Sequence, residues 1–274
     1  MSDADVSDST ALDTAMKGQS HLIVILGNSQ TVKESARKLK SLGNVVRVAR
    51  GVFLIHGQIT RDHAILEDLA AVSFRKAREI PSASDRGEEA ISRRVFAVVS
   101  YRFRNPTARQ KKRVERLVRK SGSIRLRLGV LLFPVLRSKD RRRLLQRDET
   151  NRFIDSKRMS EELRLLGAEV SRWSRLRLVE HQSMIEEAII RTLSRDISSF
   201  EILAKDLRSQ ARDPNAQAKV LKKRYSILSR RYSELKSKWS LANKMWNYDA
   251  TKMITRSYNM MIAARRSIDK ITQA

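Results

Sequence analysis

After Gly167 the chain contains no further glycine, and Pro214 is its only proline there. These two residue types most disfavour a helix interior. So long a stretch with a single breaker is constrained to long helices. The first is expected from Gln182 to Ala211, with a turn at Asp213-Pro214-Asn215. Beyond it Leu221, Tyr225, Leu228, Tyr232, Leu235, Trp239, Ala242 and Trp246 alternate steps of four and three, a heptad-like seam. Ile254, Met261, Ala264, Ile268 and Ile271 continue the pattern. Helical hairpins or a coiled three-helix bundle would bury these stripes, with the partner helix in this chain or in a second copy. The aromatics Tyr225, Tyr232, Trp239 and Trp246 could stack on bases, but seven-residue spacing is more simply a packing seam.

The preceding part reads as α+β. His21–Leu26 is an apolar run expected as a buried strand, and Gly27-Asn28-Ser29 turns the chain. Ser29 or Thr31 caps a helix through Leu42, with Val32, Ala36, Leu39 and Leu42 on one face. Val45–Val48 and Val52–Ile55 flank Arg50-Gly51 as a hairpin. A helix from Thr60 is expected to turn Ile65, Leu66, Leu69, Ala70 and Phe74 inward. The order β-α-β-β-α is most of a ferredoxin-like module over residues 21–80. Residues 81–92 are Pro-, Ser- and Gly-containing and polar, a linker.

A second such module is expected over residues 93–181. Arg94–Phe103 is a strand, Asn105-Pro106 starts a helix to about Lys120, and Ile124–Phe133 is a further strand. One strand is ill defined between 135 and 147, a helix covers roughly 150–166, and Ser174–Val179 alternates as a last strand. The expected architecture is thus one or two ferredoxin-like modules followed by a long-helix, coiled-coil-like bundle over 182–274.

Charge narrows the function. The formal net charge of this 274-residue chain is +27, and two blocks carry the whole excess. Residues 93–147 hold 19 Lys and Arg against Glu115 and Asp140, and residues 214–274 hold 14 against Glu234, Asp249 and Asp269. Residues 1–20 are the opposite, four Asp against one Lys, and read as an acidic disordered tail. Such a balance points to a polyanion, most often nucleic acid. Absence of cysteine excludes disulfides and thiolate metal sites. No apolar run is long enough to cross a bilayer, and no partnership with a membrane is expected. The N-terminus lacks the apolar core of a secretory signal, and a cytoplasmic, nucleoid or nuclear location is expected.

The sharpest constellation is the helix over 106–120. At 100° per residue Arg109, Arg113, Arg116 and Lys120 share one ridge about 16 Å long. Val114, Leu117 and Val118 lie apart from it, facing a sheet. Like charges at i,i+4 repel, and a polyanion removes that cost while releasing counterions. The expected phosphate contacts are Arg102, Arg104, Arg109, Lys112, Arg113, Arg116, Arg119, Lys120, Arg125 and Arg127. Lys139–Arg147 is a further basic run. Around the helical seam Lys222, Lys223, Arg224, Arg230, Arg231, Lys236 and Lys238 either form a second phosphate track or face an acidic helix.

Catalytic signals are sparse. His21, His56, His63 and His181 lack metal-ligand spacing, and no phosphate-binding loop or dinucleotide fingerprint occurs. Asp62-His63 with Glu67 reads as a helix cap with a surface histidine. Glu180, His181, Glu186 and Glu187 offer no fixed metal geometry. No cofactor, metal or catalytic residue is expected.

Over residues 94–180, the strand Val95–Tyr101, the basic helix Arg109–Lys120 and the strand Ile124–Phe133 resemble the small ferredoxin-like proteins of CRISPR spacer acquisition, the Cas-two-like group. The resemblance implies a ferredoxin-like fold, dimers and a nucleic-acid partner. Some members of that group cleave nucleic acid with a metal held by an Asp after the first strand. Here that place reads Tyr101-Arg102-Phe103-Arg104-Asn105, with no carboxylate. The expected function is therefore non-enzymatic binding of DNA or structured RNA. The alternatives are an assembly subunit of a ribonucleoprotein or viral particle, and a metal-dependent nuclease that would need Asp62, Glu67 or Glu180.

Overall fold

A computed structural model describes residues 20–26, 29–41, 44–56, 69–78, 80, 94–138, 154–213, 215–246 and 248–273. The acidic tail, the 81–92 linker, the Lys139–Arg147 run, Asp62, His63 and Glu67 lie outside the described residues. The chain divides into two compact units, Met1–Ile189 and Ile190–Ala274.

The first unit is built on one eight-stranded antiparallel sheet. Its strands are β1 (Ser20–Ile25), β2 (Val45–Ala49), β3 (Val52–His56), β4 (Ala71–Lys76), β5 (Val95–Arg102), β6 (Ile124–Arg127), β7 (Val130–Pro134) and β8 (Glu169–Glu180). Among the described residues it also holds the helices α1 (Ser29–Lys40), α2 (Ala108–Arg119) and α3 (Ser156–Leu165). The spatial order is β2-β3-β1-β4-β8-β5-β7-β6. The first four strands and the last four follow the same internal order, read in opposite directions from the β4·β8 pair. The repeat extends to single bonds. The Ile25 amide donates to the Gly51 carbonyl at 2.9 Å, and the Tyr101 amide donates to the Gly129 carbonyl at 2.8 Å. Gly51 and Gly129 close the two hairpins with φ of 74° and 80°, a conformation in which glycine lacks the Cβ penalty.

Much of each face of the sheet is buried, while β2 and, on the helix-bearing face, Arg75 and Arg172 are open to solvent. On one, Ile23, Ile25, Phe53 and Ile55 pack with Val32 and Leu39 of α1. Ala97, Val99, Leu131 and Phe133 pack with Val114, Leu117 and Val118 of α2 and with Met159 and Leu163 of α3. On the other, Leu22, Val24, Val72, Phe74, Phe96, Val98, Leu132, Trp173 and Leu176 are all fully buried. Phe74 and Phe96 meet edge to face at 6.3 Å, so β4 and β5 contribute to one core across β8. Burial on both sides explains why β1, β3, β5 and β7 read as continuous apolar runs rather than alternating ones.

Three expectations change. The helix expected from Thr60 cannot include Phe74, because Ala71–Lys76 is strand β4; residues 57–68 lie outside the described residues. Ala70 and Phe74 have helical spacing, but pairing with β1 decides the segment. Ile124–Phe133 is two strands, since Leu128-Gly129 turns the chain between β6 and β7. That supplies the strand sought between 135 and 147. Finally, Thr107 caps α2 in place of Asn105, with Pro106 ahead of the helix.

The second unit gathers three long helices. They are the remainder of α4 (Gln182–Gln210), α5 (Ala218–Trp246) and α6 (Thr251–Gln273). Its core repeats every seven residues, with Ile197 and Ala204, then Leu221, Leu228 and Leu235, then Ile254, Met261 and Ile268. Tyr225, Tyr232 and Trp239 pack against this core, as the packing-seam reading expects. A break not expected from the sequence precedes α6, where Asp249 accepts from the Thr251 amide at 2.9 Å. Lys238 pairs with Asp196 at 2.7 Å, and Arg256 with Glu201 at 3.1 Å. Among the described residues no helix is long and apolar enough to cross a membrane.

Candidate functional site

The basic surface is organised by α2, which is fixed at its start and along one side. The Thr107 hydroxyl accepts from the Gln110 amide at 3.2 Å, and the Gln110 side-chain oxygen accepts from the Thr107 amide at 2.8 Å. This reciprocal cap contributes about 1 kcal/mol to helix stability. Gln110 also donates its amide nitrogen to the Leu166 carbonyl at 2.8 Å, tying α2 to the end of α3. With Val114, Leu117 and Val118 buried, the helix cannot rotate, and its opposite face must meet solvent.

That face carries Arg109, Lys112, Arg113, Arg116 and Lys120, all exposed. Arg113 reaches Glu162 at 3.4 Å and Arg104 reaches Glu169 at 3.2 Å, both solvent-accessible pairs worth well under about 1 kcal/mol. Among the described residues no acid pairs with Arg102, Arg109, Lys112, Arg116 or Lys120. Arg119 is half-buried and already engaged. Three like-charged i,i+4 steps therefore run along the ridge, Arg109 to Arg113, Lys112 to Arg116 and Arg116 to Lys120. Each is unfavourable by about 0.2–0.5 kcal/mol in the absence of a counter-anion.

The other expected contacts sit differently. Arg102 and Arg104 are exposed at the end of β5. Arg125 is half-buried on β6, within electrostatic reach of Tyr101. Burial pushes the Tyr101 phenol above its ordinary value, with Arg125 pulling it down and Glu115 pushing it up. Arg127 turns away from the ridge. Its Nη1 donates to the Ile25 carbonyl at 3.3 Å, so it is not displayed with the others.

Sequence reading missed two groups of cations. A shift of 79 positions lays Lys33, Arg37 and Lys40 of α1 on Lys112, Arg116 and Arg119 of α2, and the buried Ser35 and Leu39 on Val114 and Val118. Comparing the two hairpins around Gly51 and Gly129 would have exposed this repeat. The second group is Arg75, Arg172 and Arg177, which share the helix-bearing face at the middle of the sheet. Arg75 stands opposite Arg177 in the β4·β8 ladder. Arg172 donates to the Ser156 hydroxyl at 3.3 Å. Arg172 and Arg177 are five positions apart, so plain alternation would set them on opposite faces; the irregularity of β8 around Arg175, whose φ is 55°, brings them to one face, and strand order brings them beside β4.

Groups for chemistry stay apart. His56 and His21 contact Ser20 and Ser73 respectively, each at 3.4 Å. Among the described residues no three His, Cys, Asp or Glu side chains gather where a metal could be held. The arrangement can hold anions at fixed positions. Compared with known proteins, the chain matches no family model, no curated protein and no solved structure.

Proposed function

We propose that the sheet-bearing unit binds nucleic acid non-enzymatically through backbone phosphates. The observation that carries this reading is the α2 ridge, with exposed and mostly acid-free cations on a helix whose orientation is fixed. About 16 Å of duplex carries roughly nine phosphate charges, more than enough to neutralise it. Phosphate contacts position a protein without reading sequence, and no base-reading element is required.

We read each half of the sheet as a ferredoxin-like module, supported by the shared strand order around β4·β8. Two such halves related by a two-fold would present α1 and α2 as equivalent ridges. The backbones of a double helix are themselves related by two-folds across its axis. Duplex DNA or a structured RNA helix is thus the best-matched partner, in whichever compartment holds it.

The test is fluorescence anisotropy with a labelled 20-base-pair duplex. R109Q/K112Q/R116Q/K120Q is expected to weaken binding at least about tenfold at 0.1 M salt, while leaving the fold intact. Unchanged affinity in that variant would end this reading.

A second reading, an assembly subunit, draws on the helical unit. We read its seven-residue repeat as a three-helix coiled coil. Ile227 is exposed on the lining of a cleft of about 330 Å³ between α4 and α5, and Ile202 is exposed on α4. Self-association there would be lost in I202K/I227K, and sedimentation of wild type and variant as the same species would contradict it.

A further inference from the structure

Two unfavourable features meet at the middle of the sheet. The first is a bulge in β8. Leu176 pairs with Phe96 and Trp173 with Val98, so Ser174 and Arg175 together stand opposite Ala97. Trp173 and Leu176 are fully buried on one face, and Ala97 packs on the other, beneath the helices. The bulge therefore turns Arg175 to the helix-bearing face, where it is exposed. Plain alternation from Trp173 would instead drive Arg175 into the core. The φ of Arg175 is 55°, a conformation that costs any residue with a Cβ. The second feature is Arg75 of β4, exposed on the same face and opposite Arg177.

The ladder brings Arg75 and Arg175 together. The Ala77 amide donates to the Arg175 carbonyl at 2.7 Å, which sets Arg175 diagonal to Arg75 across β4·β8. Diagonal neighbours lie about 7–8 Å apart, within reach of long side chains. Among the described residues no acid pairs with either one. Arg172 donates its Nε to the neutral Ser156 hydroxyl, and Arg177 is already engaged. Both add positive potential to the same face. Strained backbone and facing like charges at one place serve no packing need, since both side chains are exposed. A guanidinium fork fits two oxygens of one phosphate, and a phosphate between the two arginines offsets their repulsion.

We propose that Arg75 and Arg175 form a phosphate-binding site over the β4·β8 ladder, with the β8 bulge as the device that presents Arg175. Arg172 and Arg177 strengthen the local field without being its ligands. The site shares no residue with the α2 ridge and does not depend on the nucleic-acid reading.

Inorganic phosphate is the probe, titrated against the full chain by calorimetry at constant ionic strength with chloride as control. Saturable binding is expected in wild type, weakened at least about tenfold in R75Q and in R175G. Neither change is expected to unfold the chain, because each removes a locally unfavourable feature. Binding is retained in R109Q/K112Q/R116Q/K120Q. Absence of saturable binding in wild type, or equal affinity in wild type, R75Q and R175G, would overturn the proposal, as would loss of phosphate binding in the ridge variant alone. If the phosphate is the end of a nucleic acid, a 5′-phosphorylated duplex binds wild type more tightly than its 5′-hydroxyl form, and R75Q binds the two alike. If it is free phosphate, wild type binds the two duplexes alike and inorganic phosphate still saturates the site. Failure of the ridge variant to alter duplex binding would remove the functional reading above and leave this one standing.

Discussion

Arg75 of β4 and Arg177 of β8 stand directly opposite each other in the ladder that joins the two halves of the sheet. Like charges in that relation are unfavourable, by about 0.2–1 kcal/mol. R75T is therefore expected to stabilise the chain by a few tenths of a kcal/mol at low ionic strength. The gain should fade at 1 M salt, where screening acts within about 3 Å. Urea denaturation at the two salt concentrations checks it, and a destabilised R75T at low salt would contradict it.

In the helical unit Lys238 has a side chain only 5% exposed, and Asp196 holds it at 2.7 Å. Removing the acid leaves a buried cation alone. Asp196→Ala is expected to cost about 2–4 kcal/mol, below the usual figure for a fully buried pair because Asp196 is partly solvated. Lys238→Met, which removes the charge and keeps the volume, should cost far less. Thermal unfolding of the two variants gives the comparison. Equal losses would mean that the pair contributes through packing alone.

The Gly129 turn is a backbone requirement. Its φ is 80°, and a Cβ there would come within 2.8 Å of the Tyr101 carbonyl oxygen. Gly129→Ala is expected to cost about 1–3 kcal/mol, measured by denaturant unfolding. A neutral result would show that the β6–β7 hairpin readily adopts another turn.

How much of this was legible in the sequence depends on range. The α2 ridge was readable because helical periodicity alone sets which residues share a face, and Val114, Leu117 and Val118 mark the buried side. The long helical stretches followed from the missing glycine and proline, while the break at Asp249 before α6 did not. The β6–β7 hairpin was not read: β6 alternates while β7 is buried on both faces, and that change of pattern marks two strands only once Gly129 between them is given its positive φ. Arg75, Arg172 and Arg177 escaped notice because their grouping depends on β4 pairing with β8, about a hundred positions away. Arg127 was placed with its neighbour Arg125 on the same side. The register shift between β6 and β7 sends it instead toward Ile25.

Alkaline pH tests the burial of Tyr101. Its phenol titrates above the ordinary tyrosine value because burial disfavours the phenolate. The neutral form is thus preferred in the folded chain, and its contribution is complete below about pH 10, the unfolded value. As pH rises above that value the unfolded state loses its proton first, so stability falls. Y101F should lose less stability than wild type between pH 9 and 11, followed by urea unfolding. Identical pH profiles would contradict the burial of the phenol.

The most direct measurement is the salt dependence of duplex affinity. If about five ridge and β5 cations meet phosphates together, log K against log salt concentration should fall with a slope of about −4 to −5. R109Q/K112Q/R116Q/K120Q should flatten that slope by about three to four, since each lost phosphate contact removes roughly 0.9. A slope near zero in wild type, or the same slope in both proteins, would contradict the claim that the α2 cations hold a phosphate backbone.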